Sequence, residues 1–322
     1  RETPSTLVQA EEFGDEGRGE EAMEARVELA LVMGRLERLK DGSMTLNGKI
    51  VTAPLADKYT DIRYRVFTSL GFSGTERLLT DNQQVVNEPD VIEAYASTPS
   101  IARGPEGSIL LAWSLLKTRS IGGVKTYNNN VYITLLDQSG LRIASRLNIT
   151  NDDTWNQQAR LYLYQSVVAT DDNHYGVCWS EQFNNKANCA FYVYSGTDLT
   201  QFAAPFMIDE LPTGNVLFDL TTTRLANNRF LVTYTDTDVV SGDSQIMYSV
   251  CTSAGSCNTN PTPVVDAHGN PALGIQPRAV EFGIGNVLLV WIDPTGELGY
   301  LLLQPSGNLF VAAGDLQKLP KV

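Results

Sequence analysis

The 322-residue sequence predicts an all-β fold: a β-propeller of four-stranded antiparallel blades, preceded by an acidic N-terminal tail or linker. Three observations predict it. A short pattern recurs along the chain, each copy has room for four strands, and the second strand of each copy is apolar almost throughout.

The pattern is anchored on an aromatic residue. It reads GSILLAWS at 107–114, YGVCWS at 175–180, NRFLVTYT at 228–235 and GNVLLVWID at 285–293. The anchors Trp113, Trp179, Tyr234 and Trp291 are 66, 55 and 57 residues apart. Upstream of each lies a short first strand, at 100–102, 166–169, 221–223 and 278–280. Downstream, a polar loop leads to a third strand, at 131–136, 190–194, 245–250 and 299–303. A turn such as Ser139-Gly140 and a weaker fourth strand, as at 206–208 or 309–311, complete the unit. β-branched and aromatic residues bounded by turn formers mark these segments as strands. A continuously apolar second strand is buried on both faces. One four-stranded unit cannot hide both faces, but neighbouring copies can, so the units pack face to face with the anchor aromatics wedged between them.

A partial fifth copy places a third strand at 61–67, a turn at 71–74 and a fourth strand at 77–79. Its first two strands come from 26–31 and 44–52, or from chain outside this sequence. About five blades are visible, and the ring size is left open. Residues 1 to about 24 carry Glu11, Glu12, Asp15, Glu16, Glu20, Glu21 and Glu24 among glycines, which reads as a solvated tail. Residues 20–39 are also compatible with a helix. The expected division is an acidic segment over 1–45, a linker or partner-docking element, and a propeller over 46–322.

A hydrophobic content of 43% supports a sizeable core, and the longest apolar runs are strand-sized, so no membrane span is expected. The formal net charge of −13 argues against nucleic acid as a partner. The sequence starts at Arg1 and reads as a processed or trimmed product. Cys178, Cys189, Cys251 and Cys257 allow three pairings. Spacing favours Cys178 with Cys189 and Cys251 with Cys257, each pair bracketing a short Asn-, Ser- or Gly-containing stretch between neighbouring strands. Zinc would want tighter CxxC pairs or histidines, and His174 and His268 fit no such pattern. Four reduced core cysteines are the other reading. Disulfides imply an extracellular or cell-surface location, with the periplasm also open.

Pro99-Ser-Ile-Ala102 with residues 107–114, and Pro277-Arg-Ala-Val280 with residues 285–293, resemble the propeller repeats of large secreted bacterial surface proteins. These are distantly similar to the sialidase-like, or BNR, repeats. The resemblance covers residues 60–315 and implies architecture far more than activity. An Asp-box would read Ser-x-Asp-x-Gly-x-Thr-Trp. The nearest stretch, Thr150 to Trp155, lacks the glycine and does not recur. Arg63, Arg65, Arg103, Arg142, Arg146, Arg160 and Arg278 lie in no recognisable carboxylate-clamping motif, so sialidase activity is not carried over.

Glycoside hydrolysis needs two carboxylates, one kept protonated. Glu181, Asp236 and Asp293 follow the anchors at similar positions, and on inner strands they would converge on the axis; as turn formers they would only open the next loop. Asp236, Asp238 and Asp243 alternate as a calcium loop might, without the EF-hand spacing, so calcium is the one cofactor the pattern admits. The long segment 115–129 with Gly122 and Gly123, followed by Asn130 after Asn128 and Asn129, is the expected binding loop. No nucleophile elbow, P-loop or dinucleotide fingerprint is present. Repeats without an evident site predict a non-catalytic structural or binding module of an extracellular assembly or adhesin, with protein subunits or surface glycans as partners. The alternative is a propeller glycoside hydrolase or lyase acting on extracellular glycans.

Overall fold

The computed structural model describes residues 59–319 except 69–70, 158–160, 171–173, 182–184, 284 and 307–308; before residue 59 it describes only segments 28–30, 36–38, 44–46 and 49–51. The early strands are β1 (Glu28–Ala30), β2 (Leu36–Arg38), β3 (Met44–Leu46), β4 (Lys49–Val51) and β5 (Tyr59–Thr60). β6 (Arg63–Thr68) and β7 (Gly71–Leu78) join β1 as three-stranded blade I. A helical turn, α1 (Asn82–Val85), leads to blade II: β8 (Val91–Arg103), β9 (Ile109–Ile121), β10 (Val124–Leu136) and β11 (Arg142–Asn148). Blade III is β12 (Tyr162–Ala169), β13 (His174–Glu181), β14 (Lys186–Tyr194) and β15 (Leu199–Glu210). Blade IV is β16 (Asn215–Leu225), β17 (Arg229–Asp238), β18 (Ser244–Thr252) and β19 (Ser256–Pro263). Blade V is β20 (Ile275–Phe282), β21 (Asn286–Ile292), β22 (Leu298–Ser306) and β23 (Leu309–Ala312), with β24 (Gln317–Lys318) also on β22.

Blades II to V are antiparallel meanders in chain order, as the repeat predicts. Their first strands, β8, β12, β16 and β20, lie against one another and form the inside of the ring. The core is a series of slabs between blades. Each anchor aromatic sits in the slab shared with the preceding blade: Trp113 against blade I, Trp179 against blade II, Tyr234 against blade III and Trp291 against blade IV. The wedge follows from the pleat. Alternate residues of the second strand face opposite blades, and both faces carry large apolar side chains. Burying each aromatic contributes on the order of 3–5 kcal/mol against truncation to alanine.

Cys178 bonds to Cys189 and Cys251 to Cys257, the pairing that spacing favours. Each pair sits directly across neighbouring strands, with Cα–Cα separations of 4.1 and 3.9 Å, the close approach that places sulfurs within bonding reach. Two disulfides place the chain in an oxidising compartment, extracellular or periplasmic. No helix among the described residues is long and apolar enough to cross a membrane. Cys178 and Cys189 are fully buried, whereas Cys257 is only half-buried. Mild reduction with timed alkylation is therefore expected to open Cys251–Cys257 before Cys178–Cys189 in mass spectra; the reverse order would refute this reading of access.

Three expectations are corrected. Residues 71–74 are not a turn but the start of β7, because Thr68 pairs with Gly71 and leaves two residues for the connection. Segments 28–30 and 36–38 are strands, not parts of a helix over 20–39; residues 1–27 lie outside the described residues. Asn128, Asn129 and Asn130 are not in a loop but buried in β10. There they hold the 148–162 segment. The Asn128 amide donates to the Thr154 carbonyl at 3.0 Å. Asn130 Oδ1 accepts from the Asp152 amide at 2.8 Å, and Asn129 Oδ1 from the Tyr162 amide at 2.6 Å. Gly122 and Gly123, both at positive φ, make the turn at the exposed tip of the long β9–β10 hairpin, flanked by exposed Ile121 and Val124.

Candidate functional site between blades III and IV

Glu181, Asp236 and Asp293 do not meet at the axis. They sit at the ends of second strands or just beyond, one strand out from the ring's inside. Asp293 Oδ1 closes a turn, accepting the Thr295 and Glu297 amides at 2.9 Å each, while Oδ2 pairs with Lys318 at 2.5 Å. The Lys318 ammonium, then the Thr295 hydroxyl, hold this carboxyl well below the usual range. Glu181 stands opposite Lys186 across the β13–β14 ladder.

Asp236 has different surroundings. One oxygen accepts the Asn215 side-chain amide at 2.8 Å. Burial, joined by the charges of Asp209 and Asp238 and opposed by the Asn215 hydrogen bond, raises its pKa. Asp209, near the end of β15 in blade III, accepts the Tyr234 hydroxyl. Asp209 and Asp236 face one cleft of about 480 Å³ between the blades, walled by Met207, Pro212, Met247 and Pro261. Asp238 Oδ1 instead accepts the Val240 and Ser241 amides of the next turn, at 2.7 and 3.1 Å. Asp236, Asp238 and Asp243 do not gather as a cation site; no group of three such residues is placed to hold a metal among the described residues.

The residues at the axis were missed by sequence reasoning. In each of blades II to V the first strand carries one extra residue against the second: Ser97/Ser100, Leu163/Ser166, Phe218/Thr221 and Ile275/Arg278 bound the four bulges. The first bulge residue has positive φ every time: Thr98 (48°), Tyr164 (52°), Asp219 (54°) and Gln276 (57°). Each lies 15 residues before its anchor aromatic, so the bulge repeats in step with the blades. A bulge re-aims a side chain, and a bulky non-glycine residue held at positive φ is strain of about 1–3 kcal/mol that functional sites tend to retain. The sequence signal was a polar residue two positions before each first-strand segment, which strand propensity reads as nothing.

Polar groups join these bulges around the axis. The Thr98 hydroxyl donates to the Gln165 side-chain amide oxygen, Oε1. The Thr222 amide donates to the Ser166 hydroxyl at 2.8 Å, and the Gln276 amide to Asp219 Oδ2 at 3.1 Å. Tyr164 stands edge-on to Phe218 at 6.2 Å, and its phenol pKa is raised by burial and then by the Asp219 charge. Asp219 and Asp236, from adjacent strands of blade IV, thus both act on residues of blade III. Asp219 acts on Tyr164 at the axis, and Asp236 is influenced by Asp209 one strand farther out. The register agrees, since Asp236 pairs with Leu217, two residues before Asp219.

With this geometry, comparison with known proteins is informative about fold. No family model and no curated protein matches the chain. Among solved structures, the NanB sialidase of Streptococcus pneumoniae is similar at TM-score 0.50 and 9% identity, over 87% of this chain and 60% of that one. The α-L-arabinanase of Penicillium chrysogenum, complexed with arabinobiose, is similar at 0.46 and 13%, over 89% and 80%. The GH93 α-L-arabinofuranosidase of Fusarium graminearum, also with arabinobiose, is similar at 0.42 and 12%, over 89% and 80%. This chain is a β-propeller. At such identities the likeness is one of fold. The expectation of a non-catalytic structural or adhesive module is corrected: most of the propellers it is similar to are glycoside hydrolases, with the Aleuria aurantia lectin also among them, and none carries an activity over to this chain.

Proposed function

We propose that this propeller is an extracellular or cell-surface enzyme that hydrolyses glycosidic bonds in a groove between blades III and IV. The observation that carries the reading is a pair of blade IV carboxylates in different environments: Asp236, beside Asp209 in the cleft against blade III, and Asp219, whose charge reaches Tyr164 of blade III and which accepts the Gln276 amide of blade V. Glycoside hydrolysis uses such a division: one carboxyl protonates the leaving oxygen while the other acts as base or nucleophile. Asp236, raised by burial and two neighbouring acids, takes the donor's part. Asp219, anchored by the Gln276 amide, takes the other. Tyr164, edge-on to Phe218 and within reach of the Asp219 charge, offers an aromatic face, and such faces suit sugar rings. Neutral arabino-oligosaccharides and sialosides are the substrates to test.

The test is release of reducing ends from these oligosaccharides by the wild-type chain and by Asp219→Asn. The variant should lower kcat/KM by about 10²-fold with an unchanged circular dichroism spectrum. Turnover unaffected by the substitution would refute the site, and no cleavage of any glycan would refute the function.

A further inference from the structure

Blade V is buried on one face only. In blades III and IV the middle strands are buried on both faces, residues 175–180 and 230–235 without a break. In β21 burial alternates instead: Val287, Leu289 and Trp291 are buried, while Leu288, Val290 and Ile292 are half-exposed. The register extends the exposed set across the sheet. Val280 pairs with Leu288 and Leu288 with Leu302, Val290 pairs with Tyr300, and Ile292 with Leu298. Val280 is 53% exposed and Leu298 49%. This apolar sheet face has the composition of a blade-to-blade slab, and among the described residues no blade lies on it.

We propose that the N-terminal meander of this chain, β2–β3–β4 over residues 36–51, is the sheet that covers blade V and closes the ring. Three features select this occupant over a second copy or a foreign protein. Among the described residues the meander is a three-stranded antiparallel sheet, β2–β3–β4, that pairs with no other strand, a blade-like element. Its register places Leu36, Leu46, Met44 and Val51 on one face, with Arg38 opposite Met44 and Lys49 opposite Leu46 at the two ends of that face. It is also tethered where the ring is open. On one side β1 pairs with β6 of blade I, which is first in chain order as blade V is last, and on the other β5 pairs with β8 at the edge of blade II. Residues 52–58 alone join β4 to β5, a reach of at most about 25 Å. So short a tether holds the meander near the opening at an effective concentration of order millimolar. The expected boundary at residue 45 would then fall inside a blade.

The test is photocrosslinking in the full-length chain. Benzoylphenylalanine replaces Tyr300, at the centre of the exposed face, or separately Val311, at its outer edge. Equal amounts of isotopically light and heavy chain are mixed before irradiation. The expected products are light–light and heavy–heavy crosslinks from position 300 or 311 to peptides within residues 36–51, with no light–heavy hybrids. Light–heavy hybrids would assign the face to a second copy. Crosslinks to blade I would show the ring closing without the meander, and no crosslink from either position would show the face uncovered. Each of these overturns the proposal. Using two positions guards against one substitution disturbing the sheet, and circular dichroism of both checks it.

Discussion

Asp236→Asn is expected to lower glycan cleavage by about 10²–10⁴-fold, the range for losing a general acid, and to raise the melting temperature in the same protein. The two effects share a cause. Burial and the charges of Asp209 and Asp238 raise the folded-state pKa of Asp236, so the folded protein holds this proton more tightly than the unfolded chain does. The group's favourable contribution is then fully present below the unfolded carboxyl pKa, and is lost as pH rises through the folded one. Wherever Asp236 is ionised in the folded protein, its charge is a cost. Asparagine removes the charge, keeps an oxygen that can accept from Asn215, and removes the proton donor. Wild-type activity should accordingly fall on the alkaline limb as Asp236 ionises. Melting curves and rates measured across pH on both proteins check this. A variant that is less stable at pH 7 but equally active would show Asp236 to be a structural pin between blades and no part of a site.

Gly274→Ala is expected to destabilise the fold by about 3 kcal/mol or more, with blade V the first part lost. Gly274 leads into β20 at φ +141°, and a Cβ there would stand 2.1 Å from the Ile292 carbonyl oxygen and 2.8 Å from Trp291 Cδ1. The oxygen is backbone and cannot swing aside, and Trp291 is fixed by its own indole N–H bond to the Leu273 carbonyl at 3.0 Å. Gly274 also donates its amide to the Ser244 carbonyl at 2.8 Å, so moving it would break the link from blade IV to blade V. Gly269→Ala is the control. That glycine has φ +84° with open space around its Cβ position, so only the backbone penalty of about 1–2 kcal/mol remains. Urea unfolding followed by tryptophan fluorescence separates the two. Equal midpoints would mean that the close packing at Gly274 is not a constraint.

Reduction order and the crosslinking pattern test the periphery, whereas these two substitutions test the groove and the join between blades. They bear on how much of the molecule its sequence already contained. The recurrence of Trp113, Trp179, Tyr234 and Trp291 was sufficient for the architecture, because an apolar strand with a large aromatic at a fixed place has no stable solution except between two sheets. The same local logic paired Cys178 with Cys189 and Cys251 with Cys257, since short separations across a turn leave few partners. Position along the strand also brought Asp236 to notice. What it could not give was Asp236's partner. Asp209 is 27 residues earlier on another blade's outer strand, and it meets Asp236 only when blade III packs on blade IV.

The remaining decisions belong to tertiary structure for a common reason. Bulges at Thr98, Tyr164, Asp219 and Gln276 are set by pairing between strands, so propensity along one strand is blind to them. The run Asn128 to Asn130 looks like a loop because asparagine favours turns. It became a buried strand because each side chain found partners in the 148–162 segment that no local rule supplies. Sequence by itself determined which segments are strands, which faces must be buried, and that the units repeat. Only packing decided which carboxylates share a groove and which blade face was left to be covered, because both depend on groups distant in the chain that become neighbours when the sheets stack.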